Sequence, residues 1–160
     1  MDSLRRCPIL VLGVGNILLR DEGIGIRVVE ALQRMKLPDN VEVLDGGTAS
    51  MALLDTLSNR EKVIVIDAVR CNNTPGTLYR LTPNDISSGK GTQTSVHQIG
   101  LLDALFHVEC LGDAPREVVI YGVEPRDLDW GMELSPEVEA AIPRVVDLVL
   151  GELSMPANSG

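Results

Sequence analysis

The chain has 160 residues, a length that fits a single domain with a sizeable buried core. Hydrophobic residues make up 44% of the sequence and aromatic residues only 2%, so aliphatic side chains must fill that core. The net charge of −9, with no basic stripe or aromatic platform, excludes nucleic acid and anionic membrane surfaces as partners.

The apolar run that ends at Gly13 is too short to span a bilayer, and no signal-peptide cleavage site follows it. We therefore expect a cytoplasmic protein without a membrane segment. The three cysteines are scattered and show no CxxC spacing, which favours reduced thiols over a disulfide framework or a zinc site. One domain is predicted over residues 1–160, as a monomer, with 1–8 as an N-terminal extension and 152–160 as a flexible tail.

Short apolar runs alternate with helical patterns along the chain. Four runs are apolar on both faces and are predicted as buried strands: Ile9–Leu12, Val41–Leu44, Val63–Ile66 and Val118–Tyr121. Leu78–Leu81, after the Pro75–Gly76 turn, is predicted as a weaker strand that could lie at an edge. This alternation predicts a largely parallel sheet with helices on both faces.

Apolar residues at helical spacing predict four helices, which cover Ile24–Met35, Met51–Leu57, Ile99–Phe106 and Ser135–Val149. Ser95 is the expected cap of the third helix, and Ser135–Pro136 a good start for the last. Pro143 lies inside the last pattern and should kink it. The polar stretch Pro83–Ser95 is predicted as a mobile loop.

Two motifs resemble nucleotide-binding loops but fail in detail. The turn Gly13-Val14-Gly15 follows a strand, but a dinucleotide fingerprint needs a small residue where Leu18 stands. Asp21 and Glu22 would also repel a pyrophosphate at the start of the next helix. The segment SGKGT lacks the Ser or Thr that follows the lysine of a P-loop. A nucleotide-dependent oxidoreductase is therefore disfavoured.

Carboxylates follow the first three predicted strands. Glu22 comes after the first, Asp45 ends the second and Asp67 ends the third. Each could simply cap a turn, but the carboxyl ends of parallel strands meet at one rim, where ligands bind in open α/β sheets. His97 lies near the start of a helix, and a Glu, Asp and His set suits a divalent metal such as nickel or zinc. His107 is assigned to the body of that helix.

The same residues carry a family resemblance. The segments VLGVGNILLRDEGIGIRVVEAL, VEVLDGGTA, VIVIDAV, NTPGTLYRL, SVHQIGL and GVEP occur here in the order found in the nickel–iron hydrogenase maturation endopeptidases. The chain resembles that family from about Ile9 to Leu150. The resemblance implies a phosphorylase/hydrolase-like three-layer α/β/α sandwich with a five-stranded, mostly parallel mixed sheet, in which Leu78–Leu81 is antiparallel.

The resemblance also implies an activity and a site. The expected activity is removal of the C-terminal extension of the hydrogenase large-subunit precursor after nickel insertion, with the bound nickel as recognition element. The family's metal-contacting residues fall on Glu22, Asp67 and His97, and its further acid falls on Asp45. The nickel is expected to arrive with the precursor, although another divalent cation could occupy the site. Asp45 could be a general base or an orienting group.

A second hypothesis stays open beside the peptidase. The same residues would suit a non-catalytic, nickel-binding assembly chaperone for the large subunit. Only a peptidase shortens the precursor, so the mass of the precursor distinguishes the two. The peptidase chemistry would use carboxylates and water, aspartic-type or metal-assisted, because no Ser–His–Asp or Cys–His arrangement is legible in the sequence.

Overall fold

The computed structural model describes residues 6–48, 53–89 and 91–155. Its strands form one five-stranded sheet in the order β2-β1-β3-β5-β4, and their bounds are β1 Ile9–Gly13, β2 Val41–Asp45, β3 Lys62–Ala68, β4 Leu78–Leu81 and β5 Glu117–Val123. Three neighbouring pairs are parallel, and β4 is antiparallel to β5. The mostly parallel mixed sheet is therefore confirmed, including the direction of the fourth strand.

Helices cover both faces of this sheet. A 3₁₀ helix at Arg20–Gly23 precedes six α-helices, which are α1 Ile24–Gln33, α2 Leu53–Leu57, α3 Pro83–Ser87, α4 Val96–Cys110, α5 Pro136–Glu139 and α6 Ile142–Leu153. Successive strand residues point to opposite faces, so Val11 packs in one core with α1 and α6, and Leu12 in another with α2 and α4. These two cores confirm the three-layer α/β/α sandwich.

The second strand is less buried than its sequence suggests. Val41–Asp45 lies at the edge of the sheet beside β1, and none of its five residues is fully buried. The prediction of a buried strand was wrong at this point, because an apolar run does not reveal strand order. The central strand β3 is buried along its whole length, as predicted.

Two predicted segments differ from the structure. The stretch predicted as a loop from Pro83 contains helix α3, which begins at a capping box between Thr82 and Asp85 with proline in its first turn. The last helix is not one kinked helix but two, α5 and α6. Pro143 lies in the first turn of α6. Backbone N–H groups there have no partner within the helix, so the N–H that proline lacks costs no hydrogen bond, and Pro143 begins a helix instead of kinking one.

The predicted tail begins too early. Helix α6 continues to Leu153, and its Glu152 is 2% exposed and paired with Lys62 and Arg80, so part of the predicted 152–160 tail belongs to the folded domain.

At the other end, the carbonyl of Cys7 accepts a hydrogen bond from Arg60. In the part of the chain that the structure describes, no helix is long and apolar enough to cross a membrane. The predicted Met51 helix start lies outside the described residues.

Strand register brings the acidic residues to one rim. In the parallel ladder, Gly13 is the partner of Asp45 on one side and of Ile66 on the other. Asp67 follows directly in β3, so both aspartates lie at the carboxyl end of the sheet, separated by the end of β1. Two strand spacings are about 10 Å, which sets the scale of the rim between them.

Candidate active site at the carboxyl rim of the sheet

Three of the four predicted site residues are joined by contacts of His97 with the other two. Glu22 comes from the 3₁₀ helix, Asp67 from the end of β3 and His97 from the first turn of α4. Nε2 of His97 lies 3.4 Å from Oε1 of Glu22, and Nδ1 lies 3.1 Å from Oδ2 of Asp67. The imidazole therefore connects two carboxylates that are far apart along the chain.

Asp67 is held in a closed environment. Its side chain is 1% exposed, and Oδ1 accepts the backbone N–H of Ala68 at 2.7 Å. Burial raises the pKa of Asp67, and the contacts with His97, Gln98 and Ala68 only partly oppose this effect. The residue is thus a fixed anchor for its neighbours, with little contact with solvent.

His97 is also buried, with 7% of its surface exposed. Burial lowers the pKa of His97, but the short contact with the Asp67 carboxylate, together with the charge of Glu22, outweighs burial and leaves the pKa raised. The contact of Nδ1 with Asp67 is short but not aligned as a hydrogen bond, and Nδ1 has no other hydrogen-bond partner in the described structure. A buried ring nitrogen without an aligned hydrogen bond is able to form an interaction with a group that enters the site.

Gln98 is a site residue that sequence reasoning missed. Its Nε2 donates to Oδ2 of Asp67 at 3.2 Å and to the carbonyl of Ala68 at 3.0 Å, while its Oε1 accepts the N–H of Ser95 at 3.1 Å. It ties the start of α4 to the end of β3. The signal in the sequence was the capping box, a serine followed three residues later by glutamine. The Ser95 cap itself was predicted and is confirmed.

Glu22, Asp67 and His97, which we call the contact group, are not arranged around a single metal position. The two nitrogens of His97 face different carboxylates, so the three side chains form a chain and do not surround one point. Among residues 6–48, 53–89 and 91–155, no group of three or more His, Cys, Asp or Glu side chains is arranged to hold a metal ion. A cation would have to replace one contact of His97, and the donor set of two carboxylates and an imidazole suits a divalent ion. The metal role of Glu22, Asp67 and His97 stays a prediction.

Asp45 stands apart from this contact group. It is exposed at the end of the edge strand, where its Oδ1 accepts the N–H of Gly47 at 2.8 Å. The cavity beside His97 is lined by residues that do not include Asp45. The structure therefore places Asp45 on the same rim but does not bring it into contact with the other three.

Gly15 occupies the rim between Asp45 and Asp67. Its N–H donates to the carbonyl of Gly47 at 2.7 Å, and its φ of +139° favours glycine. A Cβ at this position would clash with the backbone of Glu22 and lie 3.9 Å from Oδ1 of Asp67. The glycine turn thus lets the backbone of the 3₁₀ helix approach the end of the sheet without a side chain in between.

Asp21, the neighbour of Glu22, has a structural role. It is fully buried, and its carboxylate accepts the backbone N–H groups of Arg126, Asp127 and Ser135, each at 2.8 Å. The hydroxyl of Ser135 donates to it as well, so the serine at the predicted start of the last helix serves Asp21 and makes no side-chain cap. Asp21 therefore fixes the loop after β5 against the 3₁₀ helix and holds Glu22 in place.

A cavity of about 180 Å³ opens beside Glu22 and His97. One wall comes from the chain that enters α4, including Ser95, and the other from the loop after β5, including Pro125 and Leu128. The cavity is small for a folded partner but sufficient for a few atoms of a peptide or a bound ion. A protein substrate would therefore present one short segment to it.

The sequence matches the family model described as hydrogenase maturation protease over residues 26–152. The chain belongs to the hydrogenase maturation protease family. Asp45, Asp67 and His97 lie inside the matched residues, and Glu22 lies just before them. The activity of the chain is accordingly that of a peptidase in hydrogenase maturation.

Individual members of the hydrogenase maturation protease family are similar over nearly their whole length. The hydrogenase 2 maturation protease of Escherichia coli is 47% identical over 147 residues, which cover 91% of this chain and 90% of that protein. The solved structure of the hydrogenase maturating endopeptidase HybD from Escherichia coli has a TM-score of 0.84 at 45% identity, with 91% of each chain covered. A hydrogenase 2 maturation peptidase from a Thaumarchaeota archaeon has a TM-score of 0.71 at 41% identity, covering 92% of this chain and 99% of that one.

Proposed function

We propose that this chain is an endopeptidase that removes the C-terminal extension of the nickel–iron hydrogenase large-subunit precursor after nickel insertion. The observation that carries the proposal is the contact group of Glu22, His97 and Asp67 beside a small cavity, in a member of a maturation protease family. The precursor segment that carries nickel would enter this cavity, and the scissile bond would lie along the same rim.

Charge supports a role for the precursor's nickel in recognition. Glu22 and Asp67 contribute two carboxylates to one imidazole, and the chain carries a net charge of −9. A segment that brings a divalent cation would complement this charge, while a nickel-free segment with cysteine thiolates would add negative charge. Nδ1 of His97 lacks an aligned hydrogen bond. The imidazole would therefore turn toward such a segment without breaking a hydrogen bond at this atom. The nickel is thus part of the substrate.

Asp45 is the proposed group for hydrolysis. It lies about two strand spacings, or about 10 Å, from Asp67, and an extended peptide covers about 10 Å in about three residues. A precursor anchored beside His97 would therefore pass Asp45 within a few residues. As general base, Asp45 would take one proton from a water whose oxygen bonds to the peptide carbonyl carbon, and it would return that proton to the leaving nitrogen as the C–N bond breaks. Its exposure gives that water access.

The alternative is a nickel-binding assembly chaperone that uses the same residues without cleavage. The isolation of Asp45 from the contact group favours neither role by itself, but membership in a protease family supports hydrolysis. The monomeric state, the cytoplasmic location and the aspartic-type or metal-assisted class stay predictions.

The test is the mass of purified precursor after incubation with the wild-type chain and with the His97→Ala variant. The peptidase predicts loss of the C-terminal extension with wild type only. A precursor that stays at full mass while it binds the wild-type chain would support the chaperone instead. His107→Ala is the matched control, because His107 is the second of only two histidines and lies exposed on the same helix.

A further inference from the structure

The candidate active-site cavity is lined by one positively charged side chain. Arg70 lies in the same wall as Ala68 and lines the cavity together with Glu22 and His97. Among residues 6–48, 53–89 and 91–155, its guanidinium forms neither an ion pair nor a hydrogen bond. The chain has 23 acidic residues against 14 basic ones, so an arginine without a carboxylate partner is unexpected here.

Burial distinguishes Arg70 from the other basic side chains. In the described part of the chain, each of the others either forms an ion pair or hydrogen bond or is exposed, as are Arg34, Lys36 and Arg116. Arg70 is half-buried and has no such partner. Because a charge that loses hydration needs a compensating partner, this position indicates a group that arrives with a ligand.

The backbone of Arg70 is held in place by two other segments. The carbonyl of Arg70 accepts the N–H of Gln93 at 2.9 Å, and Gln93 belongs to the segment that leads into α4. On the other side, the N–H of Cys71 donates to Oε1 of the buried Glu124 at 2.8 Å. The guanidinium therefore extends from a fixed point of the cavity wall, and a fixed point reduces the conformational entropy lost when a ligand binds.

Arg70 lies on the side of the contact group away from Asp45. The sheet order is β2-β1-β3-β5-β4, with Asp45 at the end of β2. After β3 the chain turns toward β5, where the N–H of Val69 donates to the carbonyl of Val123 at 3.0 Å. A peptide segment that passes Asp45 and then His97 therefore reaches Arg70 last.

This order assigns the two sides of the cavity to different parts of the substrate. In the proposed function, hydrolysis takes place on the Asp45 side, and the C-terminal extension lies beyond the scissile bond. The part of the segment beside Arg70 is then on the other side of the nickel and stays in the mature subunit. A group bound by Arg70 is thus present before and after cleavage.

The chemistry of the guanidinium favours a carboxylate as that group. Its planar fork of N–H donors matches the two oxygens of a carboxylate, which it binds with two parallel hydrogen bonds. The anionic groups of a protein segment at neutral pH are carboxylates and cysteine thiolates. The thiolates are expected to hold the nickel, so the carboxylates are left for Arg70.

We propose that Arg70 is a specificity residue that binds a carboxylate side chain of the large-subunit precursor, on the retained side of its nickel-binding segment. This inference rests on the proposed function and names a second group that the same site recognises. The precursor would present its cation toward Glu22 and its carboxylate toward Arg70. Because two opposite charges of the segment meet two opposite charges of the cavity, the pairing fixes the direction in which the segment binds.

The first test compares cleavage of nickel-loaded precursor by Arg70→Gln and by Arg116→Gln. Arg116 is the matched control, since it is an exposed arginine that precedes β5 at the opposite end of the sheet. We expect the KM of Arg70→Gln to rise by about tenfold or more, as for the loss of a charged hydrogen bond, with kcat within about threefold. Arg70→Lys should recover part of the KM, because lysine keeps the charge and loses the fork.

Thermal unfolding is measured beside the kinetics, and Arg70→Gln should keep the midpoint of wild type because its guanidinium has no partner to lose in the described structure. An unchanged KM in Arg70→Gln, or an equal rise in Arg116→Gln, would overturn the proposal. A fall of kcat with unchanged KM would also overturn it, since that result assigns Arg70 to the reacting atoms.

Charge reversal identifies the group that Arg70 binds. Arg70→Glu is combined with precursors in which the acidic residues around the nickel-binding segment are changed to lysine one at a time. We expect one change on the retained side to restore cleavage by at least about tenfold. Rescue by a residue of the extension, or by none, would overturn the proposal, and the second result would fit an Arg70 that only offsets the charge of Glu22.

The proposed function can fail separately. Failure of wild type to cleave nickel-loaded precursor would overturn the peptidase, and titration calorimetry of the same precursor with wild type, Arg70→Gln and Arg116→Gln would still decide the role of Arg70. Weaker binding in Arg70→Gln alone would support the carboxylate contact. Equal binding by the three chains, or no binding by wild type, would overturn it.

Discussion

Nδ1 of His97 lies 3.1 Å from Oδ2 of Asp67, yet the two atoms are not aligned as a hydrogen bond. Asp67 is fixed by Gln98 and by the N–H of Ala68, so the adjustable partner in this pair is the imidazole. The other ring nitrogen faces Glu22. His97 is thus the residue through which a change at the cavity would reach both carboxylates.

Replacing His97 by alanine is expected to abolish detectable cleavage, a loss of at least about 100-fold for a group that contacts the reacting segment. Because His97 is buried and not exposed, the change should also lower the free energy of unfolding by about 1–3 kcal/mol, since it removes a partner of the buried Asp67 carboxyl. Urea unfolding and cleavage assays measure the two effects. His107→Ala should change neither by a comparable amount, and full activity of His97→Ala would contradict the site.

Asp45→Asn tests the role of the edge-strand aspartate. Asparagine keeps an oxygen that can accept the N–H of Gly47, so the turn should persist while the basic carboxylate is lost. We expect kcat to fall by ~10²–10⁴-fold with precursor binding retained. Single-turnover cleavage gives the rate. Asp103→Asn, at an exposed position on α4, is the matched control, and wild-type turnover in Asp45→Asn would leave Asp45 as a turn residue only.

The ion pairs of the buried Glu152 with Lys62 and Arg80 should contribute to how the free energy of unfolding changes at acidic pH. Burial raises the pKa of Glu152, but hydrogen bonds from Arg80, Lys62 and Tyr121 outweigh burial and lower the pKa to about 2. A depressed carboxyl pKa stabilises the fold above its unfolded value of 4.5, and this contribution is lost as pH falls toward about 2. The stability of wild type should therefore fall more steeply than that of Glu152→Gln between these two values.

At neutral pH, Glu152→Gln should be less stable than wild type by about 3–5 kcal/mol, because Lys62 is left buried with a weaker partner. Denaturant unfolding at a series of pH values measures the difference. Glu139→Gln, at an exposed site on α5, is the control that should follow wild type. A constant difference between wild type and Glu152→Gln across the acid range would contradict the lowered pKa.

Close packing of α1 on the sheet depends on Gly25. A Cβ there would clash with the carbonyl oxygens of Ile66 and Val14, whereas a Cβ at Gly151 in α6 would have no atom within 4 Å. We expect Gly25→Ala to destabilise the chain by about 1–3 kcal/mol through overpacking. Gly151→Ala should stabilise it by about 0.5–1 kcal/mol, since alanine favours helix over glycine. Thermal unfolding compares the two, and equal effects would refute the packing argument.

The sequence predicted the elements better than their order. Apolar runs located the five strands because buried strands need aliphatic side chains, but edge strand β2 resembles a central one in sequence. Helix α3 was hidden in a polar stretch, although Thr82 and Asp85 form a capping box there. The antiparallel direction of β4 came from family resemblance and not from the pattern of its residues.

The site was predicted in part for a related reason. Strand ends on a parallel sheet meet at one rim, so the strand pattern was enough to place Glu22 and Asp67 at the same rim. The separation of Asp45 depends on β1 lying between β2 and β3, which sequence order does not reveal. Gln98 and Asp21 act through hydrogen bonds to residues far along the chain, and such pairing leaves no periodic trace in one sequence.

Nickel-dependent processing is measured most directly by cleavage of purified large-subunit precursor with and without nickel, at equal concentrations and with chelator controls, followed by intact mass. We predict loss of the C-terminal extension from the nickel-loaded form at a rate at least ~100-fold above the nickel-free form, a difference of about 2.7 kcal/mol in transition-state binding. Equal rates on the two forms would contradict recognition of nickel, and unshortened precursor in both would contradict the peptidase.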